Sequence, residues 1–190
     1  MKLTLRPTAW LAVGAALACA AIVFPTSTIA SASSTGRAAV PRCTATSLGV
    51  WVGPSSGAAG TVADEFGFTN HSAGTCSLYG YPAVQMLKSS GANLATFDDQ
   101  AAPGAFNIRE KAVFLTRGES AYFGVVYGSQ TGFANLTCPT SAALRFTPPQ
   151  AVGALTLRGA HARISPYSGT IEHLKCGVVH VTPVTAKRFQ

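Results

Sequence analysis

Four cysteines, Cys43, Cys76, Cys138 and Cys176, constrain the fold of this chain more than any other feature. A fifth, Cys19, lies within an apolar N-terminal run. An even number of cysteines in an exported chain reads as a disulfide framework, because the compartment is oxidising. Four cysteines allow three connectivities. Cys43 precedes a strand-like run at 48–52, and Cys76 follows one at 62–68. If those runs pair antiparallel, both cysteines return to the same end. The same reasoning joins Cys138, ahead of 144–146, to Cys176, ahead of 178–181, if those strands are neighbours. The expected pairs are therefore Cys43–Cys76 and Cys138–Cys176. Each closes a loop of about 30–40 residues, worth roughly 3–4 kcal/mol in the chain-entropy model. A metal site would need ligands two to four residues apart. No two of these cysteines are that close, and His173 and His180 flank Cys176 without a second cluster. No metal or cofactor is expected.

The export reading rests on the N-terminus. Lys2 and Arg6 are the only charges before Arg37, residues 9–24 are apolar, and Ala30-Ser31-Ala32 closes the segment. A positive start, an apolar middle and a small-residue exit are the three parts of a secretory signal peptide. The 16-residue apolar run is shorter than the roughly 20 residues of a bilayer-spanning helix. Residues 1–32 are read as a signal peptide cleaved after Ala32, with retention as an anchor the first alternative. Lipidation at Cys19 is the second; it is disfavoured because residues 20–24 stay apolar where a lipoprotein usually turns polar. The protein is expected to be secreted, or held at the outer face of the cell membrane or cell wall.

Charged residues make up 11% of the chain and hydrophobic ones 47%, against roughly 25% charged in an average domain. That excludes a charged disordered tail and a heptad coiled coil. Beyond residue 32, 12 Lys and Arg stand against 7 Asp and Glu, a net charge of about +5. The basic residues are scattered singly, whereas nucleic-acid binders gather them on one helix or strip. Ordinary solubility accounts for the charge; weak attraction to anionic wall polymers or lipid headgroups is compatible with it. No nucleic-acid partner is expected, and the chain is read as a monomer.

Residues 33–42 read as a flexible leader, 43–184 as one domain and 185–190 as a C-terminal tail. Short runs of high β-propensity fall at 48–52, 61–70, 84–87, 93–97, 112–115, 121–127, 141–146, 154–157 and 178–184. Phe66 and Phe68, Leu144 and Phe146, and Leu155 and Leu157 alternate by two, as on half-buried strands. Between the runs lie turn signals, among them Gly57-Ala58-Ala59-Gly60, Ser89-Ser90-Gly91, Arg117-Gly118 and Pro148-Pro149. Gly118 would supply the positive φ of a tight turn. Residues 98–109, with Pro103 and Gly104, read as a surface loop. Many short strands with regular turns predict an all-β sandwich or barrel.

Few residues suggest chemistry. No G-x-S-x-G is present; Gly128-Ser129-Gln130-Thr131-Gly132 lacks the pattern, and His71, His161, His173 and His180 read as surface or strand residues. Asp64-Glu65 and Asp98-Asp99 are adjacent, unlike glycosidase carboxylates, which face each other across a sugar. A Ca²⁺ ion needs six to eight oxygens, which the surroundings of Asp98-Asp99 do not supply. Only Met86 remains beyond the signal for a Cu(I) site. Tyr79 and Tyr81 share one face if the segment is extended, and are the candidate ligand-contact residues; packing about the disulfide is the competing account. Asn70-His71-Ser72 and Asn135-Leu136-Thr137 match the glycosylation sequon, and neither is expected to be used.

Cys43, Gly57-Ala58-Ala59-Gly60, Phe68-Thr69-Asn70 and Cys76-Ser77-Leu78-Tyr79-Gly80-Tyr81-Pro82-Ala83-Val84 occur in a telling order. They are followed by Gly118-Glu119-Ser120-Ala121, Cys138, Cys176 and Pro183. In these features residues 43–184 resemble the actinobacterial exported family called domain of unknown function 4232. The resemblance implies a secreted or envelope-anchored, immunoglobulin-like antiparallel β-sandwich with two disulfides. It implies no activity and carries over no catalytic residue. The functional expectation is a non-enzymatic binding or structural module whose partner is a cell-envelope component or an extracellular protein. The alternatives are a secreted hydrolase with a site assembled only in three dimensions and a secreted protease inhibitor.

Overall fold

Phe66 and Phe68 alternate with polar or small residues along the second strand, and this two-residue period builds the centre of the molecule. The computed structural model describes residues 39–100, 108–129, 137–167 and 176–189. The signal segment 1–32, Cys19, the leader to residue 38, Gln130 to Gly132, Asn135 and His173 lie outside the described residues, as do 101–107 of the expected loop.

The strands are β1 (Leu48–Ala58), β2 (Thr61–Asn70), β3 (Cys76–Leu78), β4 (Ala83–Leu87) and β5 (Phe97–Asp99), then β6 (Val113–Leu115), β7 (Ser120–Gly128), β8 (Ala143–Thr147), β9 (Leu155–Arg158) and β10 (Val178–Val181). Two 3-10 turns, Ala45–Ser47 and Ala160–Ala162, complete the described elements. A five-stranded sheet has the order β1-β2-β7-β10-β5, a three-stranded sheet β4-β8-β9, and a two-stranded ribbon β3-β6. The chain is all-β and sandwich-like. The Phe146 ring of the three-stranded sheet packs tilted on Phe66, with centroids 4.9 Å apart, and edge-on to Phe123 at 5.5 Å, both from the five-stranded sheet. Phe68 packs on Phe123 at 4.8 Å. Met86, Leu144, Val179 and Val181, all buried, extend the same core.

The strand ladders are antiparallel, as expected, apart from β5, which runs parallel to β10. Two expectations need correction. Residues 93–99 change sheets: the Leu94 amide donates to Met86 O beside β4, and the Phe97 amide to Gly177 O at the start of β10. Asp98 and Asp99 accordingly sit on a strand and not in a loop. The leader is anchored at its end, with Arg42 paired to Ser77 and the Ser77 amide donating to Pro41 O at 2.9 Å.

Both expected disulfides form, Cys43–Cys76 with Cα atoms 4.9 Å apart and Cys138–Cys176 with Cα atoms 5.2 Å apart. Leu48 pairs with Asn70, so the cysteines flanking β1 and β2 leave the same end, as the spacing predicts. Cys138 and Cys176 meet although β8 and β10 are not neighbours but belong to different sheets.

Candidate functional site

The outer face of the five-stranded sheet carries a set of interacting side chains from β1, β2, β7 and residues 185–189, and glycines make room for it. A Cβ at Gly67 would lie 2.3 Å from the Trp51 ring, so only glycine lets the indole lie flat across β2. The Trp51 Nε1–H donates to Thr69 Oγ1 at 3.0 Å, and Thr69 Oγ1 contacts Ser120 Oγ at 2.7 Å. Tyr122 of β7 meets Trp51 edge-on, with centroids 5.7 Å apart. The Arg188 guanidinium lies 5.6 Å from the Trp51 ring and 5.8 Å from Tyr122, within cation–π range.

Glu65 anchors this cluster. It is buried, and a buried carboxylate requires paired donors. Arg188 Nε and Nη2 donate to Glu65 Oε1 at 2.9 and 2.8 Å, and the Phe189 amide donates to Oε2 at 2.9 Å. Hydrogen bonding to Glu65, and then its charge, raise the Arg188 pKa further above its ordinary value. Residues 185–189, expected as a tail, form a strap along the sheet, fixed also by the Thr185–Tyr122 bridge. On one side of the strap a cleft of about 190 Å³ is lined by Ser55, Ser56, Glu65 and Phe189. On the other, an open cleft of about 330 Å³ is lined by Phe114, Glu119, Tyr122 and Ala186. Neither of these two clefts has a histidine in its wall.

Of the residues singled out from sequence, the fold brings His180 and Asp99 together and leaves the others apart. Gly80, between Tyr79 and Tyr81, takes φ 99°, so the extended segment needed for a shared face is absent. Tyr79 is 45% exposed and Tyr81 half-buried. Asp64 and Glu65, successive residues of β2, have separate partners: Asp64 Oδ2 accepts the Tyr127 hydroxyl at 3.0 Å, while Glu65 serves Arg188. Burial first, and then the charge of Asp64 and its hydrogen bond, push the Tyr127 pKa up. Asp98 and Asp99 diverge likewise. Asp98 Oδ2 accepts the Val84 amide at 2.8 Å, tying β5 to the other sheet, whereas Asp99 Oδ2 lies 3.2 Å from His180 Nδ1. Burial raises Asp98 to about 6, the Val84 hydrogen bond opposes the rise, and Asp99 adds to it. His71 packs over Gly49, and His161 lies on a 3-10 turn. Among the described residues no three His, Cys, Asp or Glu side chains are grouped to hold a metal ion.

Asn70 shows what one sequence motif is for. It is wholly buried; its Nδ2 donates to Gly74 O and Leu115 O, and its Oδ1 accepts the Ser72 amide and hydroxyl. A side chain so enclosed is no glycan acceptor in the fold. Sequence reasoning missed the Trp51–Tyr122–Arg188–Glu65 cluster. Its only local signal is Gly53 and Gly67 set among bulky β-formers.

The class these observations define is a disulfide-bonded, all-β domain whose polar clusters are built to hold strands together. The chain belongs to the family described as domain of unknown function (DUF4232), whose model matches residues 43–185. No curated protein and no solved structure matched it.

Proposed function

We propose that this protein is an exported, non-enzymatic binding or structural module of the cell envelope. The observation that carries the reading is the pairing of all four cysteines of the matched region into disulfides, an arrangement that persists in oxidising compartments. The signal-like N-terminus supports export. The non-enzymatic reading draws support from the engagement of the carboxylates: Glu65 neutralises Arg188, Asp64 receives Tyr127, and Asp98 clamps two sheets. Rigid scaffolds of this kind present surfaces to partners.

Intact-mass measurement of material recovered outside the cell, without reductant, tests the compartment. Two disulfides and loss of residues 1–32 are expected; four free thiols would overturn export. Pull-down from envelope extracts with the oxidised domain tests binding, and reproducible capture of one component is expected.

A further inference from the structure

Four of the basic residues, scattered singly in the sequence, fall on or beside one sheet in the fold. Arg145 lies on β8 and Arg158 on β9; Lys88 follows β4 directly, and Arg163 follows the turn at Ala160–Ala162. Residues 66–97 and 120–171 contain no Asp or Glu at all, so β4, β8, β9 and that turn carry no carboxylate. The described acids lie on β2, on β5 and on either side of β6. The one that reaches β4 is Asp98, at the Val84 amide, the opposite end of that strand from Lys88.

Strand alternation decides which way the cations point. Met86, Leu144 and Leu157 form one paired row and pack into the core. The next row, Gln85–Arg145–Thr156, therefore faces outward, as does Arg158 two residues beyond Thr156. Arg145 and Arg158 are diagonal cross-strand neighbours, about 7–8 Å apart. Arg145 Nη1 donates to Asn93 Oδ1 at 3.2 Å, a neutral acceptor, and among the described residues no carboxylate pairs with it. In that end row Leu87 and Ala143 are buried and Arg158 is exposed, while Lys88 follows in the register of core-facing Met86.

We propose that the outer face of the β4-β8-β9 sheet is a docking surface for a linear polyanion bearing a phosphate charge on each repeat. Arg145 and Arg158 form its centre. The inference rests on the reading of the protein as a binding module and names the chemistry of its partner. Charge complementarity carries it: two like charges held side by side on a sheet repel, and an anion between them reverses the sign of that interaction. The guanidinium fork matches phosphate oxygens in pairs. A polymer fits better than a bilayer because the large exposed apolar residues, Val40, Tyr79, Phe97, Phe114 and Val152, all lie off these three strands.

The test titrates the oxidised domain with long-chain inorganic polyphosphate at about 50 and 200 mM salt. The double variant Arg145→Gln/Arg158→Gln is compared with Arg109→Gln/Arg117→Gln, which removes the same charge elsewhere. The first pair is expected to lose about tenfold or more in affinity and to show a shallower salt dependence, and the second to stay within about twofold. Circular dichroism and non-reducing mass confirm that both remain folded and oxidised. Equal losses in the two pairs, or no binding by the unaltered domain, would overturn the proposal. So would binding to phosphatidylglycerol vesicles without binding to polyphosphate. If the polymer fails while an envelope component is still captured by both the unaltered domain and the Arg145→Gln/Arg158→Gln variant, the binding-module reading stands without this surface.

Discussion

Asn70 is the residue on which most local structure converges. Its amide closes the loop that leads into β3, and its carbonyl oxygen accepts the Gly118 amide at 2.7 Å. Gly118 takes φ 84° there, the positive value its position in the sequence predicted. Replacing Asn70 by Ala leaves the Leu115 carbonyl and a buried turn without partners. A loss of about 3 kcal/mol is expected in denaturant unfolding. Asp98 makes the opposite point. Its folded pKa of about 6 stands above the ordinary 3.8, so between those values the native state binds more protons than the unfolded one. Its contribution to stability therefore falls as pH rises through that window. In urea titrations at several pH values, Asp98→Asn should gain on the native chain between about pH 4 and 6 and hold its advantage at neutrality; a constant difference would contradict this.

At the scale of elements, the strands with strong side-chain alternation were legible and those made by pairing alone were not. The run expected at 61–70 is β2 to the residue, because Phe66 and Phe68 impose both period and face. β1 continues from Val52 to Ala58 through Pro, Ser, Gly and Ala, residues of poor β-propensity held by their register with β2. β5 escaped notice because Asp98-Asp99 reads as loop, while a parallel partner at β10 and the buried Asp98 contact override that preference. β3 has three residues, too few to show a period. The β1–β2 hairpin turns on Ala59 and Gly60, with φ 48° and 82°, a left-handed pair that suits Asn-Gly. Ala59→Asn is expected to stabilise the domain by about 0.5–1 kcal/mol, read as a higher thermal midpoint.

For the whole molecule, the disulfides and the all-β class were visible in composition and spacing. The cluster on the five-stranded sheet was not, since Glu65 and Arg188 are 123 residues apart and nothing local links them. The basic face was hidden for the same reason: its cations come from separate strands. Cys138–Cys176 spans 38 residues, and replacing both cysteines by Ser should lower unfolding free energy by about 4 kcal/mol in the chain-entropy model, measured against the oxidised domain. The Cys43–Cys76 bond has a mechanical consequence as well. Tension applied ahead of residue 43 meets a covalent link to β3 before it reaches β1, whereas tension applied beyond Phe189 first peels the Phe189 amide and then Arg188 from Glu65. The body is thus armoured against pulling from one end and yields in small steps from the other.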